Sequence, residues 1–284
     1  MFFSSVLQGF MCNLEHVSIC VFYMKNGLLK ISLLQFPLFW EASTDNIDFF
    51  TSQIASLRDK HEMPDLVVLP EMWSTGFSMG LKTQAQRIGN ESLAFMIEMA
   101  QTFEIAIVGS TVFKEQNATY NRLFFVFPDG EYESYDKRHT FSMAGESEVY
   151  DRGKTSLLVH YRGFKICPLI CYDLRFPVWS RNTVDYDLLL YVANWPAPRI
   201  HAWDTLLQAR AIENMAYCVG VNRVGTDPNG HEYPGHSGVY NAFGEQMSFS
   251  KKSGVLNAVL DLDWLKKQRI KFPFLQDADP FKLC

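Results

Sequence analysis

Three residues far apart in the chain have the side chains that nucleophilic attack on a carbonyl requires. Cys171 ends the apolar run KICPLIC, after which the sequence changes abruptly to YDLRFPVWS. A thiol at the end of a buried strand, entering a turn or helix start, meets backbone N–H groups that stabilise a thiolate or a developing oxyanion. Glu71 ends DLVVLPE, directly after Pro70. An acid there lies at the rim of a sheet, and partial burial would raise its pKa and suit it to take a thiol proton. Lys137 closes the alternating run EYESYDK. A cation beside a cysteine lowers the thiol pKa, so the expectation is a sulfur held as an anion between a carboxylate and an ammonium group. Taken singly, each residue has a plainer use: a small buried hydrophobe, a solvated loop acid and an edge-strand lysine.

The elements that must position these residues alternate along the chain. LLKISLLQF reads as a strand, and Thr44 to Lys60 as a helix with Ile47, Phe50, Ile54 and Leu57 at helical spacing, capped by Thr44 or Asp45. DLVVLPE is a short apolar strand covered on both faces, ESLAFMIEMAQTF (91–103) a helix and IAIVGST a strand. RLFFVF and EYESYDK flank the turn signal PDG as hairpin partners, and SLLVHYRGFKICPLIC folds on itself around Arg162-Gly163. DLLLYVANW is a buried strand, TLLQARAIENMA a helix and AYCVGVNRVG a strand. HSGVYNAFGEQM and GVLNAVLDL pattern as a final hairpin, and DWLKKQRIKF as a closing helix. Strands separated by helices, without repeats or an interdomain linker, indicate a layered α/β protein.

Composition narrows the function classes. The 284 residues are 48% hydrophobic, enough for one large domain. The net charge is -5 and no Lys/Arg-rich block occurs, so the footprint of a nucleic-acid binder is missing and a small-molecule substrate fits better. The six cysteines (Cys12, Cys20, Cys167, Cys171, Cys218, Cys284) are sparse in a long chain and lack zinc spacing, which points to reduced thiols in a cytoplasm. Residues 1–23 are apolar in patches, interrupted by Asn13, Glu15 and His16, with no positive region ahead and no membrane-length run. The expectation is a native start at Met24, residues 1–23 being an upstream extension and 24–284 a single domain; a weak signal anchor is the other reading.

The words LPEMWSTGF, YDKRH and CYDLRFP, in that order, resemble the nitrilase superfamily, in which a Glu, a Lys and a Cys each end a strand. The resemblance runs from Lys30 to Phe274. It implies a four-layer α-β-β-α sandwich, an amide hydrolase with no metal or organic cofactor, no membrane association, and a homodimer packed through helical faces. It also implies a second glutamate that supports the lysine. Glu146 in MAGESEVYDRG matches it, with Glu148 the competing choice. Tyr172, next to the nucleophile, would give its backbone N–H to the oxyanion.

CYDLRFPVWSRN and YVANWPAPR further resemble the omega-amidase branch, and the similarity continues through ARAIEN and NRVG to FPFLQDAD. That branch hydrolyses the terminal amide of small dicarboxylic monoamides such as 2-oxoglutaramate and 2-oxosuccinamate. A carboxylate remote from the scissile amide needs a cation, ideally arginine. Arg175 and Arg199 are the candidates, and Trp195, Phe77 and Phe141 could wall the site. Plainer readings stay open: an ion-pair residue for Arg175, a solvated loop residue for Arg199, core packing for the aromatics. A nitrilase, an N-carbamoyl amide hydrolase and a catalytically silent scaffold are the competing functions. A Cys–His pair through His139, His201 or His236 is the competing chemistry, and a redox thiol is disfavoured without a CxxC.

Overall fold

The computed structural model describes residues 27–60 and 63–282. The inferred start at Met24 and the residues Cys12, Cys20 and Cys284 lie outside the described residues. The first half of the chain runs β1 (Leu28–Gln35), α1 (Ser43–Asp59), β2 (Leu66–Val68), α2 (Ala85–Phe103), β3 (Ala106–Glu115), β4 (Ala118–Val126) and β5 (Tyr132–Asp136). A short α3 (Glu146–Val149) leads to β6 (Val159–Tyr161), β7 (Phe164–Ile170), α4 (Pro177–Ser180), β8 (Leu188–Ala193), α5 (Ile200–Asn214) and β9 (Tyr217–Asn222). The remainder is β10 (Val224–Thr226), β11 (Glu232–Pro234), β12 (Ser237–Tyr240), β13 (Gln246–Ser250), β14 (Gly254–Asp261) and α6 (Leu262–Lys271).

Two six-stranded sheets result, ordered β14-β1-β2-β3-β4-β5 and β13-β12-β9-β8-β7-β6. Each has two adjacent parallel pairings, β1–β2–β3 and β7–β8–β9, flanked by antiparallel ones. Side-chain alternation builds the layers. Val67, Ile107, Phe124 and Val126 meet Phe50, Ile54 and Leu57 of α1 and Phe95, Met96 and Met99 of α2. Their sequence neighbours Leu66, Val68, Ala106, Val108, Leu123 and Phe125 join Ile166, Leu169 and Leu190 in the core that includes the second sheet. Trp203 and Leu207 of α5 and Leu262 and Leu265 of α6 belong to the same core. The order is helix, sheet, sheet, helix: the expected α/β four-layer sandwich. LLLYVA of β8 is buried throughout because both its faces are covered.

Several elements differ from the sequence expectation: α5 begins at Ile200, ahead of the expected Thr205, and Thr44 and Asp45, expected as caps, lie inside α1, which begins at Ser43. Helix α2 begins at Ala85, ahead of the expected 91. Gly89, in the first turns of this helix, is where the helix backbone presses on β3: a Cβ there would lie 2.8 Å from the Val112 carbonyl oxygen. The last hairpin is β12 with β13, not with β14. After the bend at Lys251–Ser253, β14 crosses to the other sheet and pairs with β1, Leu29 opposite Leu260 and Leu33 opposite Leu256. That pairing covers an edge of β1 that would otherwise be open.

Candidate active site

The carboxyl ends of β2, β5, β7 and β8 converge, as ligand sites in α/β sheets do. Glu71 follows β2, Lys137 is the residue after β5, Cys171 the residue after β7, and Asn194 the residue after β8. Three ionisable groups meet there without access to water: Glu71 and Glu146 are 0% exposed and Lys137 1%. Lys137 Nζ donates to Glu71 Oε1 at 2.8 Å and to both Glu146 oxygens at 2.9 Å. Buried charges persist only when paired and hydrogen-bonded this fully. Burial alone would pull the lysine pKa down, but Glu146 and Glu71 outweigh it and hold the ammonium form. Burial pushes the Glu146 carboxyl upward, and Lys137 and the Phe141 N–H oppose that shift.

Of the two glutamates considered for the supporting role, Glu146 is the one bonded to Lys137, whereas Glu148 is exposed. Glu146 also accepts the backbone N–H of Phe141, which ties that cavity-lining residue to the lysine.

Cys171 adopts φ 45°, in the left-handed region, at the point where β7 turns into a short 3₁₀ segment, Cys171–Arg175. Such a backbone costs an L-residue roughly 1–2 kcal/mol and holds where its surroundings fix it. Asp173 supplies part of that fixation. Its buried carboxylate accepts the Ile170 N–H at 3.1 Å, the Tyr135 hydroxyl at 2.8 Å and the His139 N–H at 3.0 Å. One side chain thus fastens the Cys171 turn to the segment that carries Lys137.

The thiol differs from expectation in its charge. Burial first, and the Glu71 carboxylate second, push its pKa well above the ordinary thiol value, and Lys137 only partly opposes them. The resting sulfur is therefore a thiol, not the anion that the sequence suggested. The lysine's positive charge is already taken up by two carboxylates. The sulfur lies 4.0 Å from the Asn194 carbonyl oxygen.

A cavity of about 640 Å³ opens over this cluster. It is lined by Glu71, Lys137 and Cys171, and by all six residues considered for substrate contact: Tyr172, Arg175, Trp195, Arg199, Phe77 and Phe141. Glu146 lies behind Lys137 rather than on the wall. Arg175 places its guanidinium over Trp195, 5.0 Å from the ring centroid, and Arg199 sits over Phe141 at 4.8 Å. Neither arginine has a carboxylate partner among the described residues, so Arg175 is not the ion-pair residue of the plainer reading. Both are half-buried. Trp195 also fixes the loop, donating its indole N–H to the Arg199 carbonyl at 2.8 Å.

Two of the three histidines considered as partners for the sulfur are bonded elsewhere. His139 Nδ1 lies 2.7 Å from Asp173 and its ring stacks on Phe176; His236 Nδ1 lies 2.9 Å from Asp204. Neither they nor His201 line the cavity.

Two asparagines escaped the sequence reading. Asn121, on the inward side of β4, donates its amide to Glu71 Oε1 at 2.9 Å and to Glu146 Oε1 at 3.2 Å. Asn194 donates its backbone N–H to Glu71 Oε2 at 2.8 Å and its side-chain amide to the Glu71 carbonyl. The available signal was a polar residue buried in, or just after, an apolar strand run.

A family model described as carbon-nitrogen hydrolase matches residues 31–269. The chain belongs to the carbon-nitrogen hydrolase family. It is 45% identical over 258 residues to the omega-amidase YafV of Escherichia coli, covering 90% of this chain and 98% of that one. It is 31% identical to the 2-oxoglutaramate amidase of Bacillus subtilis, covering 87% of this chain and 96% of that enzyme. A crystal structure of a carbon-nitrogen hydrolase superfamily protein from Xanthomonas campestris, with an arsenic adduct in its active site, superposes with a TM-score of 0.87 at 37% identity, covering 90% and 99% of the two chains. Among the described residues of this carbon-nitrogen hydrolase, no helix is long and apolar enough to cross a membrane. Among the same residues, no group of three or more His, Cys, Asp or Glu side chains is disposed to hold a metal ion.

Proposed function

We propose that this enzyme is an omega-amidase, hydrolysing the terminal amide of small dicarboxylic monoamides such as 2-oxoglutaramate and 2-oxosuccinamate to the acid and ammonia. The observation that carries the substrate class is a pair of arginines, Arg175 and Arg199, that have no carboxylate partner among the described residues and lie in the cavity that also holds Glu71, Lys137 and Cys171. A half-buried guanidinium lacking an internal anion suits a substrate carboxylate, which it binds by charge-assisted hydrogen bonds. The 45% identity to an omega-amidase and the 31% identity to a 2-oxoglutaramate amidase support the same class.

In the proposed reaction Glu71 takes the Cys171 proton as the sulfur bonds the amide carbon, and the carbonyl electron pair moves onto oxygen. The oxyanion is met by Lys137 and the Tyr172 N–H. Glu71 returns the proton to nitrogen as the carbon–nitrogen bond breaks, releasing ammonia and leaving a thioester. Glu71 then deprotonates a water that attacks the thioester carbon, and the carbon–sulfur bond breaks to restore the thiol. Splitting one displacement into two lowers each barrier. A thiol at rest suits this sequence, because the anion forms only as its proton passes to Glu71. Glu146 serves by holding Lys137. Phe77, Phe141 and Trp195 bound the acyl chain.

We further infer a cytoplasmic homodimer. Cys167, Cys171 and Cys218 are free thiols, as a reducing compartment keeps them, and Ile212 and Phe243 give the α5 side exposed apolar surface. Sedimentation of the purified chain tests the dimer. Ammonia release from 2-oxoglutaramate, glutaramate, a simple aliphatic nitrile and an N-carbamoyl amino acid tests the activity. The expected order has the two monoamides first. Preference for the nitrile or the carbamoyl compound would replace this reading, and the absence of any turnover would favour a scaffold.

A further inference from the structure

Glu71 and Glu146 converge on one ammonium group, so a closed cluster of three charges carries a net negative charge out of contact with water. Like charges this close relieve their repulsion by capturing a proton, and whichever carboxylate captures it ceases to act as a base. The groups facing Glu71 are Lys137 from the end of β5, Glu146 from α3, Cys171 from the end of β7, and, at longer range, Tyr150 and Tyr233. Among these Lys137 is the sole cation, and it is shared.

Asn121 is placed to hold both carboxylates at once. Its amide nitrogen lies between them, 2.9 Å from Glu71 Oε1 and 3.2 Å from Glu146 Oε1, and its two hydrogens serve two acceptors. The orientation of the amide is fixed by chemistry. Turned over, it would set a carbonyl oxygen against two carboxylate oxygens. The same orientation leaves Asn121 Oδ1 buried without a hydrogen-bond partner among the described residues. A buried unpaired acceptor is unfavourable, and its retention calls for a reason other than stability. The backbone of Asn121 joins the same cluster, its carbonyl accepting the Lys137 N–H at 3.0 Å.

We propose that Asn121 is a positioning residue that locks Glu71 and Glu146 onto one lysine and thereby sets the pH range over which this carboxylate–lysine cluster can accept the Cys171 proton. The proposal rests on the reading of Glu71 as base and Cys171 as nucleophile. It adds a neutral donor pair that holds the base without adding charge. Removing the donor pair leaves the carboxylates to share a proton, which moves the acid limb of the activity profile upward.

The test is the pH profile of kcat/KM for glutaramate hydrolysis by wild type, Asn121→Leu and Asn121→Ser, with thermal unfolding of each. Leucine is close in size and has no donor; serine keeps one. The acid limb is expected to move at least one pH unit upward in Asn121→Leu and by less in Asn121→Ser. At pH values below the wild-type limb, activity should fall about tenfold for each pH unit that the limb moves, and it should recover towards the wild-type value on the alkaline side. An unmoved acid limb overturns the proposal, whether activity is retained or falls equally at all pH values. Should both variants fail to fold, Asn121→Asp, close to isosteric, supplies the readout. Its added acid must alter the acid limb, and an unchanged profile again overturns the proposal. Cys171→Ala assayed in parallel separates the two ideas. If it remains active, the underlying nucleophile assignment fails; if it is inactive while the Asn121 variants keep the wild-type limb, only the role of Asn121 fails.

Discussion

At the buried end of the cavity Lys137 is held between two carboxylates, whereas on its more open side Arg175 and Arg199 each lie over an aromatic ring with no carboxylate partner among the described residues. The first region is a completed ion network whose hydrogen bonds also reach two asparagines and a backbone N–H. The second has positive charge left over. A completed network needs nothing from a ligand and can only shuttle a proton or receive a transient charge. Unpaired cations in a cavity await an anion from outside. The contrast separates chemistry from recognition within one cavity, and substitutions at the two ends should fail in different ways.

The largest effects belong to the buried end. Glu71→Gln keeps the shape but removes the base, and kcat should fall by about 10³-fold or more, within the range for a lost general base. An active Glu71→Gln would make the contrast meaningless. Lys137→Met should lose activity and also stability, by about 3–5 kcal/mol, because two buried carboxylates then lack their cation. A wild-type Tm would show the network to be less enclosed than its geometry indicates.

Effects at the open side should be smaller and should depend on the substrate. Arg175→Ala or Arg199→Ala should raise KM for 2-oxoglutaramate by about 10- to 100-fold, the worth of a charge-assisted hydrogen bond, while leaving a neutral amide such as butyramide unaffected. Equal losses on both substrates would assign the arginines to structure. The thiol gives a pH test. A raised pKa means less thiolate at neutral pH than a free cysteine has, so alkylation of Cys171 by iodoacetamide should be slower than that of a free thiol. Its rate should still be climbing at about pH 9, where an ordinary thiol begins to level off. A plateau near neutrality would restore the anion that the sequence suggested. Smallest of all, Glu148→Gln should change stability by less than about 0.5 kcal/mol and activity not at all, in contrast to Glu146→Gln.

The same contrast marks what the sequence could disclose. Cys171, Glu71 and Lys137 could be singled out as candidates because each stands at a strand end, which is local information; their grouping, and Glu146 altogether, came from the resemblance of their words to the nitrilase superfamily, and the structure brings the four together. The layered fold followed from alternating elements. The partner of β14 was not legible, because pairing with β1 across the whole chain leaves no local trace and the segment HSGVYNAFGEQM, which carries β12, was the nearer candidate. The first turns of α2, from Ala85, were not read, and the packing of Gly89 there against β3 is a contact that sequence does not reveal. The charge state of the sulfur was misread because it turns on how completely Lys137 is engaged by other groups. Asn121 was passed over as one polar residue in an apolar strand, since only the assembled sheet places it between two carboxylates.

The most direct test is acid-quench mass spectrometry of the enzyme during turnover of glutaramate, followed by peptide mapping. The expected result is a glutaryl adduct on the peptide containing Cys171, formed and discharged at rates that match ammonia release, with both adduct and release abolished in Cys171→Ala. Ammonia release at the wild-type rate from Cys171→Ala, or an adduct on a different residue, would contradict the proposed chemistry at its first bond.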